Sequence, residues 1–338
     1  MIQGTMARRE LLALAGALSA SPLTMGIQEN RPAPAGPATP ADNRARLYGL
    51  LGRLPGRDRP VGGTKRSETE RDGYVLETWD LDLNGIEPVP ACVARPRNAI
   101  GRRPAVVFNH SHGGGYEIGK TEFVEGREYL QPEPYARALT DRGWVAISID
   151  HWIFGERSHT AELEMFKSMI WHGQVLWGMM IFDSLKAVDW LVTRDDVDPA
   201  RIGTIGMSMG SSMAQWLGAL DTRITTVVDI CCLVDYQALI AENGLGRHGI
   251  YYYVPSLLEH FTAADINALI APRPHLAITG LQDRLEPAAG VDRIDAALRE
   301  VYAAAGHPDH WQIRRYDVGH EETPEGRREA LAFLEQHL

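Results

Sequence analysis

Three side chains in distant parts of the chain are of the types needed for nucleophilic catalysis: Ser208, Asp283 and His320. A serine hydroxyl becomes a useful nucleophile when a histidine removes its proton, and the histidine needs an acid to orient it. Each of the three residues follows a short apolar run that is typical of a buried β-strand. Together they predict acyl transfer through a covalent intermediate on the serine.

Ser208 lies in the segment GMSMG, between an apolar run at 201–205 and a helix-forming stretch at 210–219. This is the G-x-S-x-G motif in a strand–turn–helix setting. The turn must be tight, and glycines on both sides remove side chains that would collide with the strand and the helix. We expect the backbone N–H of Met209, at the start of the helix, to face the oxygen of a group attacked by Ser208.

Asp283 and His320 follow the strands predicted at 275–279 and 312–316, so the chain order is serine, acid, histidine. This is the order found in one hydrolase fold. Because the carboxyl ends of parallel strands meet at the same edge of a sheet, the three side chains are expected to lie close together.

Other residues are alternatives for the acid and the base. Asp229 lies inside a predicted strand and Asp235 lies just beyond it, and either one could approach the imidazole. His307 and His310 precede the last predicted strand, whereas a base must lie at the carboxyl end of the strand to reach the serine. Asp283 and His320 are therefore the preferred assignments.

A glycine-rich loop, NHSHGGG at 109–115, follows the strand predicted at 104–109. Its glycines let the backbone approach the nucleophile and leave N–H groups to bind developing negative charge. We expect the N–H of His112 to be the second oxyanion donor, with Ser111 and Gly113 as alternatives. The two histidines of this loop supply only two ligands, so no metal is expected there.

Four side chains are candidates for substrate contact: Trp152, Arg157, Trp177 and Tyr252. The first two lie in the loop IDHWIFGERS beyond a predicted strand, the third in the Met-rich and aromatic stretch 162–193, and the fourth in an insertion after 226–231. Each has an alternative role in packing. Arg157 is a candidate for binding a substrate carboxylate or carbonyl, or for pairing with Glu156 or Asp150.

Short apolar runs alternate with helical patterns along the chain. The predicted strands lie at 74–81, 91–94, 104–109, 144–149, 201–205, 226–231, 275–279 and 312–316, and the predicted helical stretches at 133–141, 162–193, 210–219, 289–304 and 325–337. Continuous apolar runs such as AVVF suit strands covered on both faces of a parallel sheet. The pattern predicts an α/β fold with a mostly parallel, doubly wound sheet of about eight strands flanked by helices.

The composition excludes several classes of protein. The chain has 338 residues, of which 44% are hydrophobic and 23% charged, as in folded globular proteins. Its 34 Lys+Arg against 44 Asp+Glu give a net charge of −10, which disfavours a nucleic-acid partner. Three cysteines make neither a disulfide framework nor a zinc site. The G-x-G-x-x-G pattern at 244–249 follows a helix-like segment, so a dinucleotide is not expected either.

The first residues have the layout of an export signal. Arg8 and Arg9 precede an apolar run at 11–20, which is too short to cross a bilayer, and small residues follow. We predict an export signal at 1–28, with the paired arginines indicating the twin-arginine route, a Pro/Ala-rich linker at 29–45 and one catalytic domain at 46–338. The protein is then periplasmic or secreted without stable membrane insertion, or cytoplasmic if the segment is not a signal.

The chain resembles the α/β-hydrolase superfamily in four segments that span residues 104–322: HSHGGG, DVDPARIGTIGMSMGSS, PRPHLAITGLQDRLEP and DVGHEE. Within it, IDHWIFGERS, YYYVPSLLEHF and LIAPRPHLAITG are similar to the branch of dienelactone hydrolases and acetylxylan esterase-like proteins. The resemblance implies hydrolysis of carboxylic esters, with Ser208 as nucleophile, His320 as base and Asp283 as its support. Ser111 departs from this branch, which often has glycine there. The elbow also lacks the Cys and Arg that flank the serine in glucuronoyl esterases, so that activity is not assigned.

The expected function is that of a serine carboxylic-ester hydrolase without metal or organic cofactor. Its substrate would be an acetylated carbohydrate, another small ester or a lactone. One alternative is a serine peptidase of the same fold, although such enzymes usually carry an additional domain that selects the peptide. The other is a catalytically silent protein that binds ligands with the same fold. The acyl group, the alcohol and the oligomeric state are left open.

Overall fold

The computed structural model of the chain describes residues 39–98 and 100–338. The predicted export signal at 1–28 and the first part of the predicted linker lie outside the described residues. In the described part, no helix combines the length and apolar character needed to cross a membrane.

The first helix, α1, spans Pro40–Gly49 and corrects the predicted linker, since residues 40–45 are helical. The hydroxyl of Thr39 accepts the N–H of Asp42, and the Asp42 carboxylate accepts the N–H of Thr39 at 3.0 Å. This reciprocal capping, with proline at the first helical position, starts a helix where composition alone indicated an extended segment.

Within the described residues, nine strands form one sheet in the order β1-β2-β3-β5-β4-β6-β7-β8-β9. Their bounds are β1 Gly62–Glu70, β2 Tyr74–Asp82, β3 Val89–Pro96, β4 Arg103–Asn109, β5 Val145–Ile149, β6 Val197–Met207, β7 Ile224–Ile230, β8 His275–Gly280 and β9 Trp311–Tyr316. The pairs β1–β2, β2–β3 and β3–β5 are antiparallel, and the pairings from β5 through β9 are parallel. The predicted mostly parallel α/β sheet is confirmed.

One strand, β1, was not predicted. Its sequence is GGTKRSETE, and every residue after Gly62 is exposed. An edge strand with both faces in water has no apolar alternation, and its charged side chains discourage pairing with another chain. Hydrophobic periodicity therefore carries no signal for this element.

Helices cover the sheet. In the described residues they are α1, α2 Thr121–Glu125, α3 Tyr135–Thr140, α4 Glu162–Trp171, α5 Leu176–Leu191, α6 Met209–Leu220, α7 Tyr236–Ala241, α8 Leu257–His260, α9 Ala263–Ala268, α10 Ala288–Ala304 and α11 Pro324–His337. The predicted stretch 162–193 is two helices, because the chain turns between them at Gly173, whose φ of +72° favours glycine.

Neighbouring residues on the central strands bury opposite faces of the sheet. Val107 and Ile147 pack in a cluster with side chains of α5 and α6, whereas Val106 and Phe108 pack in another with side chains of α3 and α11. Burial on both faces explains why these strands are continuously apolar. It also leaves the strand ends as the places where polar side chains can gather.

Candidate active site

Ser208 lies in a tight turn between β6 and α6. Its backbone has φ +59° and ψ −121°, a conformation that non-glycine residues rarely adopt. A Cβ atom at Gly206 would collide with the carbonyl of Gly210, and one at Gly210 would collide with the carbonyl of Asn109. The Ser208 N–H donates to the carbonyl of Ile230 at 2.9 Å, which ties the turn to the end of β7. Both glycines of the motif are thus required by close backbone approach.

Asp283 and His320 are in direct contact. Asp283 Oδ2 and His320 Nδ1 are 2.6 Å apart, and Asp283 Oδ1 accepts the N–H of Leu285 at 2.8 Å. The Asp283 side chain is fully buried, whereas that of His320 is 24% exposed. Since a carboxylate can only accept, the hydrogen bond assigns the imidazole proton to Nδ1 and leaves the lone pair on Nε2.

The loops that carry the acid and the histidine are bonded to each other. The N–H of Leu281 donates to the carbonyl of Tyr316 at 2.8 Å, and the N–H of Gln282 donates to the carbonyl of Val318 at 2.9 Å. Gly280 lies so close to this second loop that a Cβ atom there would collide with the carbonyl of Gly319. The pairing of β8 with β9 therefore continues past the strand ends and holds the two side chains together.

Ser208 and His320 line one cavity of about 280 Å³. In the part of the chain that the structure describes, no hydrogen bond joins the Ser208 hydroxyl to His320. Such bonds are often loose in ligand-free enzymes and tighten when substrate is bound. The structure thus brings all three predicted residues to the same edge of the sheet, with Asp283 and His320 in contact and Ser208 lining the same cavity as His320.

The alternative acids and bases have structural contacts instead. Asp229 Oδ2 lies 2.5 Å from Nε2 of His275, and both side chains are fully buried. Asp235 caps α7 through its side chain. His307 and His310 stack on each other at the amino end of β9, away from the edge that carries Ser208.

The two predicted oxyanion donors border the cavity. Met209 is the first residue of α6, where backbone N–H groups lack partners within the helix and the helix dipole is positive. The N–H of Ser111, one of the alternatives in the glycine-rich loop, donates to Oε1 of Glu122 at 2.9 Å and is therefore occupied. His112 and Gly113 both line the cavity and are the remaining candidates.

Glu122 was not predicted, and it fixes the glycine-rich loop. The residue is 1% exposed, and its carboxylate accepts the N–H and the hydroxyl of Ser111 and, at 3.5 Å, the hydroxyl of Tyr129. Burial raises the pKa of Glu122, and the hydrogen bonds from Ser111 oppose that effect. Arg127 donates to the carbonyl of Gly113 at 3.0 Å, so the loop is held on both sides of His112.

We expect Glu122→Gln to lower kcat for a short-chain ester by about 10- to 100-fold with little change in KM. The reason is that an amide offers one acceptor oxygen where the carboxylate offers two, so the loop would shift away from the position that serves the oxyanion; loss of a donor outright costs about 10²–10³. Steady-state kinetics on p-nitrophenyl acetate measure the effect. Glu125→Gln, an exposed residue of the same helix, is the control. A Glu122→Gln enzyme with unchanged kcat would contradict the positioning role.

His110 belongs to the same loop and is buried as a neutral imidazole. Its Nε2 accepts the N–H of His151 at 3.3 Å, which assigns the ring proton to Nδ1, where the carbonyl of Ser111 lies at 3.0 Å. Complete burial lowers the pKa of His110 to about 4. Protonation of Nε2 would bring two donors together, so the folded state resists it.

The burial of neutral His110 predicts that the folded protein loses stability in acid. The pKa of His110 in the folded state is below its unfolded value of about 6.5. The stability that neutral His110 contributes to the fold is therefore fully present above pH 6.5 and is lost as the pH falls towards 4. Between pH 7.5 and 4.5 the loss from His110 is about 2 to 3 kcal/mol in the free energy of unfolding. Urea unfolding at both pH values measures it. His110→Asn should be less stable at pH 7.5 and lose less on acidification; an equal loss in both proteins would contradict the assignment.

Arg157 and Trp152 do not line the cavity, which corrects two predicted substrate contacts. Arg157 is 2% exposed and donates to Asp183 at 2.9 Å and to Glu87 at 2.7 Å. Its guanidinium lies 4.2 Å from the centre of the Trp152 ring. An arginine already paired with two carboxylates has no free charge for a substrate. The partners predicted from the loop, Glu156 and the Asp150 side chain, were also wrong, although Arg157 does donate to the Asp150 carbonyl.

Of the other two predicted substrate contacts, Trp177 lies away from the cavity and Tyr252 lines it. Trp177 is fully buried in α5 and packs against the rings of Tyr251 and Tyr252, so its predicted substrate contact is also corrected. Tyr252 lines the cavity as expected, together with Arg247 and His248, which were not predicted. The last two lie in an irregular segment whose path the sequence pattern does not indicate.

Comparisons with known proteins agree on the family and the fold of this chain. A model of the Abhydrolase family matches residues 59–333. YtaP of Bacillus subtilis (strain 168), which carries the provisional name of a hydrolase, is 50% identical over 298 residues, or 88% of this chain and 99% of the relative. A glucuronoyl esterase from Solibacter usitatus has a TM-score of 0.62 at 16% identity, covering 88% of this chain and 91% of that one. An acetyl xylan esterase from Paenibacillus sp. R4 has a TM-score of 0.58 at 17% identity, covering 88% and 93%. At these identities the two solved structures show likeness of fold.

Proposed function

This chain belongs to the Abhydrolase family and has the α/β-hydrolase fold, and from that premise we propose that it is a serine carboxylesterase working through an acyl-enzyme. The observation that carries the proposal is the 2.6 Å hydrogen bond between Asp283 and His320, with His320 and Ser208 lining one cavity. A histidine oriented in this way has its free lone pair available for a serine proton.

In the proposed reaction, the Ser208 hydroxyl attacks the ester carbonyl while Nε2 of His320 takes its proton. The N–H groups of Met209 and His112 stabilise the oxyanion, and Asp283 stabilises the imidazolium. His320 then returns the proton to the departing alcohol. Water, activated by the same nitrogen, hydrolyses the acyl-enzyme and releases the acid.

For the substrate, we propose a small acyl group, with an acetyl ester of a carbohydrate as first choice and a small ester or lactone as the alternative. A cavity of about 280 Å³ suits a short acyl chain and one ring of an alcohol. The rings of His112, Tyr251 and Tyr252 line it and give it an aromatic wall that suits a sugar or another ring. An acetyl xylan esterase among the similar folds supports the same choice.

A panel of substrates tests the proposal. It includes p-nitrophenyl esters of increasing acyl length, acetylated sugars, lactones, and one aminoacyl group offered both as ester and as amide. We expect hydrolysis of short-chain esters and at least one acetylated sugar, with the amide resistant. Preferential cleavage of the amide would favour a peptidase. Turnover of none of these substrates by folded protein would favour a silent binding protein.

Export is a separate proposal that rests on Arg8, Arg9 and the apolar run at 11–20. Expression of the full chain in a bacterium, followed by sequencing of the N-terminus of the mature protein, tests it. Cleavage near residue 28 is expected, and an intact N-terminus in the cytoplasm would contradict it.

A further inference from the structure

A third side chain with affinity for metals lies beside the candidate acid and base. The Sγ of Cys231, an oxygen of Asp283 and a ring nitrogen of His320 all lie within 4.8 Å of one another. Cys231 and Asp283 are buried, and His320 borders the cavity, which gives a small ion a path to the cluster. Thiolate, imidazole and carboxylate are the ligands that Zn²⁺ prefers in proteins.

The spacing of these atoms is close to that of a metal site. With metal–ligand bonds of about 2.0 to 2.3 Å, ligand atoms around a tetrahedral ion are roughly 3.3 to 3.8 Å apart. The 2.6 Å contact between His320 and Asp283 would have to widen by about 1 Å, and the sulfur, which lies within 4.8 Å of the other two ligand atoms, would have to approach by at most roughly 1.5 Å. Cys231 is held in place, since its N–H donates to the carbonyl of Ile278 at 2.7 Å.

The charges around the cluster favour a cation. A second carboxyl group, that of Glu286, is 2% exposed and accepts the backbone N–H groups of Leu233 at 2.8 Å and Gly280 at 3.3 Å. Among the described residues, no lysine or arginine pairs with Asp283 or Glu286. A divalent cation bound here would balance the charge of the Asp283 carboxylate and of the thiolate that Cys231 becomes on binding.

We propose that Cys231, Asp283 and His320 form an inhibitory site for a thiophilic divalent cation such as Zn²⁺. Binding releases the thiol proton to solvent and replaces the hydrogen bond between the imidazole and the carboxylate. A neutral imidazole that binds metal through Nδ1 carries its proton on Nε2, so His320 loses the lone pair needed by Ser208. The inhibition rests on the proposed esterase function, whereas metal binding itself does not.

Two measurements on the full chain test the site, with Co²⁺ as a spectroscopic probe and Zn²⁺ as the inhibitor. Wild-type protein should give a thiolate-to-cobalt charge-transfer band that disappears in Cys231→Ala and persists in Cys92→Ala and Cys232→Ala. Zn²⁺ should inhibit ester hydrolysis by the wild type and Cys92→Ala alike. Cys231→Ala should need at least about tenfold more Zn²⁺ for half-inhibition, because even partners of metal ligands change affinity by 10- to 100-fold.

The proposal is overturned if the wild type gives no thiolate band, if the band persists in Cys231→Ala, or if Zn²⁺ inhibits Cys231→Ala as strongly as the wild type. Circular dichroism establishes that the variant is folded, and Cys231→Ser, which loses the sulfur with a smaller change in volume, replaces it if it is not. Should the protein hydrolyse no ester, the Co²⁺ band still decides the metal site, so that failure of the proposed function is distinguished from failure of the site.

Discussion

Replacing Ser208 with alanine is expected to lower kcat for ester hydrolysis by about 10⁶-fold, because a nucleophile, base and acid that act as one unit lose their joint effect with any essential member. The residual rate would come from the oxyanion donors and from binding in the cavity. Alanine has the same Cβ atom as serine, so the substitution leaves the steric cost of the positive φ at this position unchanged. Initial rates with p-nitrophenyl acetate at high enzyme concentration measure the loss.

Ser211→Ala is the matched control for this substitution. Ser211 lies in the first turn of α6, three residues after Ser208, but its hydroxyl is buried and lies 3.4 Å from the carboxylate of Asp229. We expect its kcat to change by less than about tenfold, as for a buried hydrogen bond remote from the reaction. Retention of most activity by Ser208→Ala, with both variants folded, would refute the nucleophile assignment.

Asp283→Asn is expected to reduce kcat by roughly 10⁴-fold. The asparagine NH₂ group donates to Nδ1, so the imidazole must carry its proton on Nε2 and cannot take one from Ser208. The shape of the site is preserved, because the 2.8 Å hydrogen bond from Leu285 needs only an acceptor oxygen. The same ester assay, run across a range of pH, measures the rate.

Asp235→Asn distinguishes Asp283 from Asp235, the alternative acid that lies just beyond β7. Asp235 follows β7 but caps α7 and pairs with Arg293 at 3.1 Å. We expect this variant to keep near wild-type kcat, since asparagine also caps helices. A large loss in Asp235→Asn together with a small one in Asp283→Asn would transfer the acid to Asp235.

The parts of the site that could be predicted are those encoded by local patterns. The glycines around Ser208 are required by backbone contacts within one turn, and the sequence displays that requirement directly. Asp283 follows the buried strand β8 and His320 follows the partly buried strand β9, and the parallel topology brings such ends to one edge. Strand, turn and chain order therefore sufficed to predict that the three residues lie at one edge of the sheet, whereas their catalytic roles stay a prediction.

The site residues that were not predicted, or were predicted wrongly, are held in place by contacts between distant segments. Glu122 is a charged residue on a short helix, and its burial follows from the way the glycine-rich loop folds over it. Arg157 has its partners at Asp183 and Glu87, which are 26 and 70 residues away. No periodicity within one segment reports such pairings, so sequence patterns place these side chains at the surface by default.

The most direct measurement of the central claim is covalent trapping of the nucleophile. Folded protein is treated with a fluorophosphonate, digested and mapped by mass spectrometry, with Ser208→Ala and Asp283→Asn treated in parallel. The account predicts one modified serine, Ser208, in the wild type, slower labelling in Asp283→Asn and none at this site in Ser208→Ala. Labelling at another serine, or no labelling of a folded wild-type protein, would contradict it.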